Sequence, residues 1–454
     1  MLFQTVKSEI VSHLSYIIGN NNEAAVIDPR RDCKIYLKIA KNWGAKIKYI
    51  FETHRNEDYV TGSLELEKLT GATIFHGPEL HWGFGKIIQD KQEIKIGSLK
   101  IKALHTPGHS PDSTSYVLFD LESGEEPVMV FTGDTLFVGD VGRTDFLGEK
   151  MTPVMSEKLY DSIHHKLVSL GDGVMVCPAH GSGSVCGGNI KQREISTIGI
   201  EKKTNPMLKL NKDDFIKEKT TEQHQTPPYF KQMEEYNLNG PPILGEIPNP
   251  HPLTPLEFKK TSEKSYIIDT RTPAAFGAAH INNSFSLTPK RLLNVGWVAD
   301  FNKPILLVVE DLHALDFAAD NLFRLGLDKI EGYLEGSIEA WYKQGLPIEK
   351  NGLLSVHELK AMIDSNRKIT ILDVRREKEW NDGHITGAMR IYLGHLPKQT
   401  DKIPKDNPIV VVCKTGNRSS FGTSILLKAG FDNVYNCLGG IEAWVKAGFK
   451  LTKS

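Results

Sequence analysis

Segments of the C-terminal half of this chain recur at a fixed spacing. YIIDTRTPAAFGAAHINNSFSL (266–287) pairs with TILDVRREKEWNDGHITGAMRI (370–391), so that Asp269 matches Asp373, Arg271 matches Arg375 and His280-Ile281 matches His384-Ile385, each 104 residues on. KPILLVV (303–309) and LGLDKI (325–330) keep that offset against NPIVVVC (407–413) and AGFDNV (429–434). One residue drops out before GSIEAW (336–341) meets GGIEAW (439–444). One offset sustained over separate segments is the signature of two tandem copies of one domain. In each copy, short β-rich runs end in a polar residue (YIIDT, TILDV). Runs that are apolar throughout (PILLVV, PIVVVC) have the composition of buried parallel strands. HALDFAADNLFRLG and SSFGTSILLKAG read as helices. The expectation is a small α/β domain, present twice, with a mostly parallel sheet and helices on both faces.

The copies part at one loop. In the second, Cys413 directly follows an apolar strand, and Cys413-Lys414-Thr415-Gly416-Asn417-Arg418 would wrap into a loop leading to a helix that begins near Ser419. Backbone N–H groups of such a loop, with the helix N-terminus, point at the sulfur and favour its anion. Gly416 permits the tight curl, and Lys414 and Arg418 add positive charge for an anionic substrate such as sulfite or thiosulfate. The plainer alternative is a buried cysteine at a strand end. In the first copy Val309 takes the cysteine's place, and Glu310 and Asp311 follow, which would repel an anion. That copy has no nucleophile and is expected to be a silent scaffold. Asp373, Arg375 and His384 recur in both copies, so they read as residues of the fold.

Residues 1–230 follow another pattern. HLSYIIGNNNEAAVIDP reads as two strands around a polar turn, CKIYLKIAKNWG as a helix ending at a glycine, and further strands follow in IKYIFETH, QEIKIGSLKIKALHTPGHS, TSYVLFD, VMVFTGD and VMVCPAH. Two strand-rich halves with interspersed helices suggest an αββα sandwich. Four strands end in metal-type side chains, in THRNEDYVTGS (53–63), TPGHS (106–110), FTGDTLF (131–137) and CPAHGSG (177–183). Residues at strand ends can converge on one edge of a sandwich.

These segments resemble the metallo-β-lactamase superfamily over about residues 1–200. The family's His-x-His-x-Asp-His motif here reads His54-Arg55-Asn56-Glu57-Asp58-Tyr59, so two of its ligand positions hold Asn56 and Tyr59. The persulfide dioxygenases of this superfamily need fewer ligands. The resemblance implies one Fe(II) per chain held by His54, His109 and Asp134, a two-His-one-carboxylate set that leaves positions open for persulfide and O2. Zinc is the lesser alternative. GDTLFVGDVGRTDF (133–146) resembles a second segment of the same subfamily and implies a substrate-side role for Arg143, whose guanidinium suits a carboxylate or persulfide. An ion pair with Asp145 or Asp140 is the other reading. Asp58, Tyr59 and His180 are expected beside the ligands, orienting them or a bound water or oxygen.

The Cys-x-x-Gly-x-Arg-Ser loop, the Asp373-Val374-Arg375 start, the Gly-His-Ile segment and the GGIEAW ending resemble the rhodanese sulfurtransferases over about residues 255–454. The whole then reads as an α/β chain: an αββα metallo-β-lactamase-like sandwich at 1–230, a Pro- and Asn-rich linker at 231–254, a silent rhodanese-like domain at 255–350 and an active one at 351–454. A length of 454 residues agrees with about three domains. The resemblance implies oxidation of a low-molecular-weight thiol persulfide to sulfite by O2, with Cys413 converting sulfite and persulfide to thiosulfate. Two alternatives stay open. One is a zinc-dependent thioester hydrolase of the glyoxalase II type, and the other a non-catalytic metal domain that only presents a persulfide to Cys413.

Bulk composition narrows the partners. With 40% hydrophobic and 24% charged residues and a net charge of -1, the chain is of the globular kind and offers no field for nucleic acid. No apolar run approaches the ~18–20 residues of a membrane span, and Lys7, Glu9 and His13 break up any signal-peptide layout. A cytoplasmic protein is expected; chains of the family it resembles often pair through the sandwich domain, and the sequence leaves open whether this one is a homo-oligomer. Five cysteines cannot make a disulfide framework. Cys177 reads as core, Cys33 and Cys437 have no reactive context, and Cys186 is either a loop thiol or a persulfide carrier near the metal.

Overall fold

A computed structural model describes residues 1–245 and 249–453. The chain divides into two compact units, Met1–Ile247 with Arg324–Gly326, and Pro248–Phe323 with Leu327–Ser454.

The first unit is built on two six-stranded sheets. One runs in the order Leu2–Ser8, His13–Asn20, Glu23–Ile27, Lys46–Phe51, Thr73–His76, Lys86–Ile87. The other runs Ser196–Thr197, Met175–Pro178, Pro127–Gly133, Thr114–Asp120, Leu99–His105, Glu93–Ile96. The expected NNNE turn joins His13–Asn20 to Glu23–Ile27, with Asn20 opposite Glu23. Asn21 and Asn22 both take positive φ, 49° and 67°, as a two-residue hairpin turn requires.

Side-chain alternation sorts these strands into layers. Tyr16, Ile18, Ile27 and Phe51 of one sheet meet Leu99, Ile101, Tyr116, Leu118 and Phe131 of the other in a shared core. On the outer face of the first sheet, Ile17, Val26 and Ile50 are covered by Tyr36 and Ile39 of helix Lys34–Asn42 and Leu66 of helix Ser63–Thr70. On the outer face of the second, Val117, Val130 and Val176 are covered by Leu159, Ile163, Ile198 and Phe215. Thr114–Asp120 reads as one apolar run because both its faces are buried. The αββα sandwich follows from this double covering.

Part of the stretch expected to be linker, residues 231–254, is helix instead, Phe230–Asn239. Its buried Asn237 receives a hydrogen bond from Thr61 N (2.9 Å) and donates to the carbonyls of Asn56 and Tyr59 (both 2.7 Å). The helix therefore braces the loop that carries the histidine motif. The linker's residues 246–248 lie outside the described residues, as does residue 454 of the last domain.

The second unit holds two five-stranded, all-parallel sheets of identical topology. Their orders are His251–Leu253, Ile330–Leu334, Ile305–Val308, Tyr266–Asp269, Ser284–Ser286, and Gly352–Leu354, Val434–Cys437, Ile409–Val412, Thr370–Asp373, Met389–Arg390. The repeat read from the sequence is thus a repeat in three dimensions. The copies touch where Ser286 Oγ meets Ser420 Oγ at 2.6 Å, Phe285 stands edge-on to Phe421, and Trp297 stands edge-on to Tyr392. Among the described residues no helix is long and apolar enough to cross a membrane.

Candidate metal centre and thiol loop

Each side chain expected in the metal centre lies just past the C-terminal end of a strand: His54 after Lys46–Phe51, His109 after Leu99–His105, Asp134 after Pro127–Gly133 and His180 after Met175–Pro178. All four are buried. The strand ends can close on one another because two glycines remove side chains from between them. A Cβ on Gly133 (φ 53°) would stand 2.7 Å from Thr53 Cβ, and one on Gly142 would stand 2.1 Å from Asp134 O and 3.0 Å from His109 Nδ1.

The three expected ligands converge. Asp134 Oδ2 lies 3.4 Å from His109 Nε2 and 3.7 Å from His54 Nε2, and the two imidazoles stand edge-on at 5.0 Å. Hydrogen bonds fix the tautomers. His109 Nδ1 is 3.0 Å from the Arg143 carbonyl, which only accepts, so Nδ1 carries the proton. Thr53 Oγ1 donates to Asp28 Oδ2 (2.8 Å) and so accepts from His54 Nδ1 (2.9 Å). Both Nε2 atoms are then lone pairs, and neither has a hydrogen-bond partner among the described residues. Burial keeps both rings neutral, pushing His54 down to about 3 and His109 to about 4. Neutral imidazoles are the state in which histidine binds a metal. Burial would raise the Asp134 carboxyl, but His180 beside it holds it well below the usual carboxylate range. Orphaned, buried lone pairs around an ionised carboxylate fit a cation.

His180 and Asp58 sit next to this set. His180 Nδ1 contacts both Asp134 oxygens (2.8 and 3.0 Å), and its Nε2 stands 3.2 Å from Asp58 Oδ2. Burial opposes a charge on His180, yet Asp134 and Asp58 hold it well above the ordinary histidine value. Tyr59 stacks on His13 at 4.0 Å and stands edge-on to His180 at 6.2 Å, its buried hydroxyl unpartnered among the described residues. Asn56, at the second histidine's position, turns its amide back on the His54 carbonyl (3.2 Å).

Two residues of the pocket were not among the expected ligands. Cys186 is buried, and its sulfur lies within 4.8 Å of ligand atoms of Asp58 and His180 and of His109 and Asp134. Burial, with Asp134 and Asp58 adding to it, pushes the thiol well up. Glu57 is also wholly buried, with Oε2 3.8 Å from His109 Nε2. Burial pushes its carboxyl up to about 8 against the pull of Arg55.

Arg143 stands apart from its expected substrate role. Its guanidinium grips Asp145 through Nε (2.6 Å) and Nη2 (2.8 Å), reaches the Gln225 carbonyl and Thr226 hydroxyl (both 3.2 Å), and lies over the Phe146 ring. With every edge engaged, it ties its own loop to the Gln225–Thr226 segment, and its carbonyl fixes His109. The ion pair with Asp145 is therefore the reading the geometry supports.

In the second repeat, Cys413 follows strand Ile409–Val412, and the helix begins at Asn417, two residues before the expected start. Gly416 (φ 96°) turns the chain so that its N–H donates to Cys413 Sγ at 3.1 Å. Ser419 Oγ, 3.3 Å from the sulfur, in turn donates to Asn436 Oδ1. The loop is clamped from below: Ile441 N donates to Cys413 O (2.9 Å) and Glu442 N to Lys414 O (3.0 Å). Arg418 is spent on a bidentate pair with Glu379 (2.7 and 2.6 Å), while Lys414 is exposed, 3.4 Å from Glu442. Arg291, on the segment Pro289–Trp297 of the silent copy, is held below the ordinary arginine value by burial and by the Arg418 charge, with the Cys413 sulfur opposing. Cys33, Cys177 and Cys437 are buried, and burial pushes each thiol up to about 12.

Comparison with known proteins agrees with this division. Residues 9–180 match the metallo-beta-lactamase superfamily, and residues 254–344 and 355–447 each match the rhodanese-like domain. A crystal structure of a metallo-beta-lactamase from Staphylococcus aureus subsp. aureus COL superposes with a TM-score of 0.66 at 30% identity, covering 74% of this chain and 98% of that one. The mitochondrial persulfide dioxygenase ETHE1 of Bos taurus is 29% identical over 215 residues, 45% of this chain and 74% of its own. The hydroxyacylglutathione hydrolase GloC of Haemophilus influenzae is 27% identical over 216 residues, 43% of this chain and 91% of its own. The chain belongs to the metallo-beta-lactamase superfamily. Within it, the chain carries an N-terminal domain homologous to the persulfide dioxygenases, followed by two rhodanese-like domains.

Proposed function

We propose that the N-terminal unit is an Fe(II)-dependent persulfide dioxygenase and that Cys413 is the sulfurtransferase nucleophile that follows it. The observation that carries the first part is the meeting of His54, His109 and Asp134 with two unpartnered Nε2 lone pairs, while Asn56 and Tyr59 occupy the positions where a second ion's support would be needed. A non-haem iron held by His54, His109 and Asp134 would supply the activation of O2. The chain's own residues supply the rest. Thr53 and the Arg143 carbonyl keep the imidazoles in the ligating tautomer, and burial keeps bulk water away from a reactive sulfur.

The overall reaction balances as R–S–SH + O2 + H2O giving R–SH, bisulfite and a proton, the outer sulfur losing the four electrons that O2 gains. At the second site, sulfite attacks the outer sulfur of a Cys413 persulfide. An S–S bond forms to the sulfite sulfur, the Cys413 S–S bond breaks, and Cys413 leaves as a thiolate stabilised by the Gly416 N–H. The products are thiosulfate and free Cys413. Lys414 and Arg291 supply the positive charge for sulfite or thiosulfate, since Arg418 is held by Glu379.

An oxygen electrode with glutathione, coenzyme A and bacillithiol persulfides, sulfite and thiosulfate both being measured, tests this. Oxygen uptake should require Fe(II), and His109→Ala should abolish it while leaving thiosulfate:thiol sulfur transfer intact. The likeness to hydroxyacylglutathione hydrolases supplies the rival outcome. Two zinc ions per chain, hydrolysis of a glutathione thioester and no oxygen uptake would overturn the dioxygenase reading.

A further inference from the structure

Glu57 falls on a variable position of the histidine motif, yet it points into the same pocket as the ligands. Its side chain is entirely buried. Oε1 accepts a hydrogen bond from Arg55 Nη2 at 3.1 Å. Oε2 has no hydrogen-bond partner among the described residues, and one ligand atom each from His54, Glu57 and His109 lie within 4.8 Å of one another.

The neighbours of Oε2 cannot satisfy it. Each imidazole has committed its N–H elsewhere, His109 to the Arg143 carbonyl and His54 to Thr53, so the nitrogens facing Glu57 are acceptors. Asp134 Oδ2 adds another acceptor 3.4 Å from His109 Nε2. Three buried acceptor atoms with no hydrogen-bond partner among the described residues, His54 Nε2, His109 Nε2 and Glu57 Oε2, thus gather in one space, beside the Asp134 carboxylate that His180 already serves. Unpaired buried acceptors are costly, and a cation removes that cost for all three at once.

We propose that Glu57 is itself a ligand of the metal ion, replacing the motif's missing second histidine, so that His54, His109, Asp134 and Glu57 hold the ion together. This rests on the one-metal reading above. Asn56, the residue at the second-histidine position, faces its own loop. Arg55 on the far oxygen orients the carboxylate, as an outer partner of a ligating group does. A fourth protein ligand would leave the ion fewer places for substrate than the three-ligand set does.

Metal-free protein titrated anaerobically with Fe(II), and in parallel with Co(II), by calorimetry and visible spectroscopy tests this. Wild type should take one ion per chain. Glu57→Gln keeps the shape and the Arg55 contact but offers the ion only a neutral amide. Its Fe(II) affinity should fall about tenfold or more, and the Co(II) ligand-field bands should move. Unchanged affinity and bands overturn the Glu57 assignment alone, provided His109→Ala loses the ion. A wild-type protein that takes up no Fe(II) overturns the one-metal reading as well. Should Glu57→Gln fail to fold, infrared difference spectra of wild-type protein carrying carbon-13 carboxyl-labelled glutamate decide. A glutamate carboxylate band that shifts on Co(II) addition supports ligation, and an unmoved band overturns it.

Discussion

The two rhodanese-like repeats share a sheet order and a buried ion pair but only one has a thiol. In both, an aspartate at a strand end grips an arginine two residues on: Asp269 with Arg271 and Asp373 with Arg375, both pairs buried and bidentate. In both, a histidine stacks flat on an aromatic ring, His280 on Phe276 and His384 on Trp380. The differences gather at one loop and its supports. Val309 replaces Cys413, and Ala275 and Ala314 replace the Glu379–Arg418 pair. Ser337 replaces Gly440, and the helix of the silent copy starts one position earlier in the shared register. The scaffold and the chemistry of this fold are therefore carried by separate residues, and one can be lost without the other.

The sharpest way to break that comparison is at the sulfur. Cys413→Ser should reduce thiosulfate formation to background while sulfite still accumulates from persulfide and O2, read by chromatography of both anions. Val309→Cys in that background should restore nothing, because Glu310 and Leu312 stand where Lys414 and Gly416 serve Cys413. Recovery of transfer by Val309→Cys would mean that the strand end alone makes the site.

Next in size is the shared pair. Asp269→Asn and Asp373→Asn each leave a buried guanidinium without its counter-charge, at a cost of about 3–5 kcal/mol. Denaturant titration should show similar losses for the two, and Asp269→Asn should leave the turnover of the folded protein unchanged. Unequal losses would mean that the pair has taken on a second task in the active copy.

Legibility in the sequence follows the range of the contacts. The repeat, the strand ends and the Cys413 loop depend on neighbours within a few residues, so pattern and turn chemistry expose them. His54, His109 and Asp134 stand at strand ends in recognisable segments, and the sandwich brings them together. The buried Glu57 was hidden because its partner His109 lies on another sheet, and Asn237 because its hold on Asn56 spans 181 residues. The same cause hid the Gln225 carbonyl and Thr226 hydroxyl that occupy the rest of Arg143 from 82 and 83 residues away, and left Arg418 free of the Glu379 that binds it from 39 residues away. Hydrogen bonds made by single side chains across such distances leave no periodicity to read.

A smaller effect is expected beneath the loop. Gly440 lies so close under it that a Cβ there would stand 2.2 Å from Cys413 O, whereas Ser337 in the silent copy has a side chain that donates to Val309 O at 2.7 Å. Both residues share a left-handed backbone, φ 53° and 54°, a region that a side chain strains, so Gly440→Ser should add strain there and lift the loop. A displacement of that kind near a nucleophile is worth about 10²-fold in kcat, with some loss of thermal stability from the same strain. Unaltered sulfur transfer would show that the loop's height is immaterial.

The smallest effect concerns the pair that only the active copy has. Burial would raise the Glu379 carboxyl, but the Arg418 guanidinium holds it below the ordinary value of 4.5. The unfolded chain then binds the proton first as pH falls. The pair's contribution is full above that ordinary value and is lost as pH drops through the lower folded one. Because Glu379 keeps about a quarter of its side chain in solvent, that contribution is on the order of 1 kcal/mol. In Glu379→Gln the acid limb of the stability curve should flatten by that amount, and Arg418, released, should become a further cation beside Lys414 and Arg291. A lower KM for thiosulfate in Glu379→Gln, with kcat held, would show that the pair restrains the substrate cation. An unchanged KM would confine the pair to holding the loop, and the difference between the two repeats would reduce to Cys413 and its Gly416 N–H.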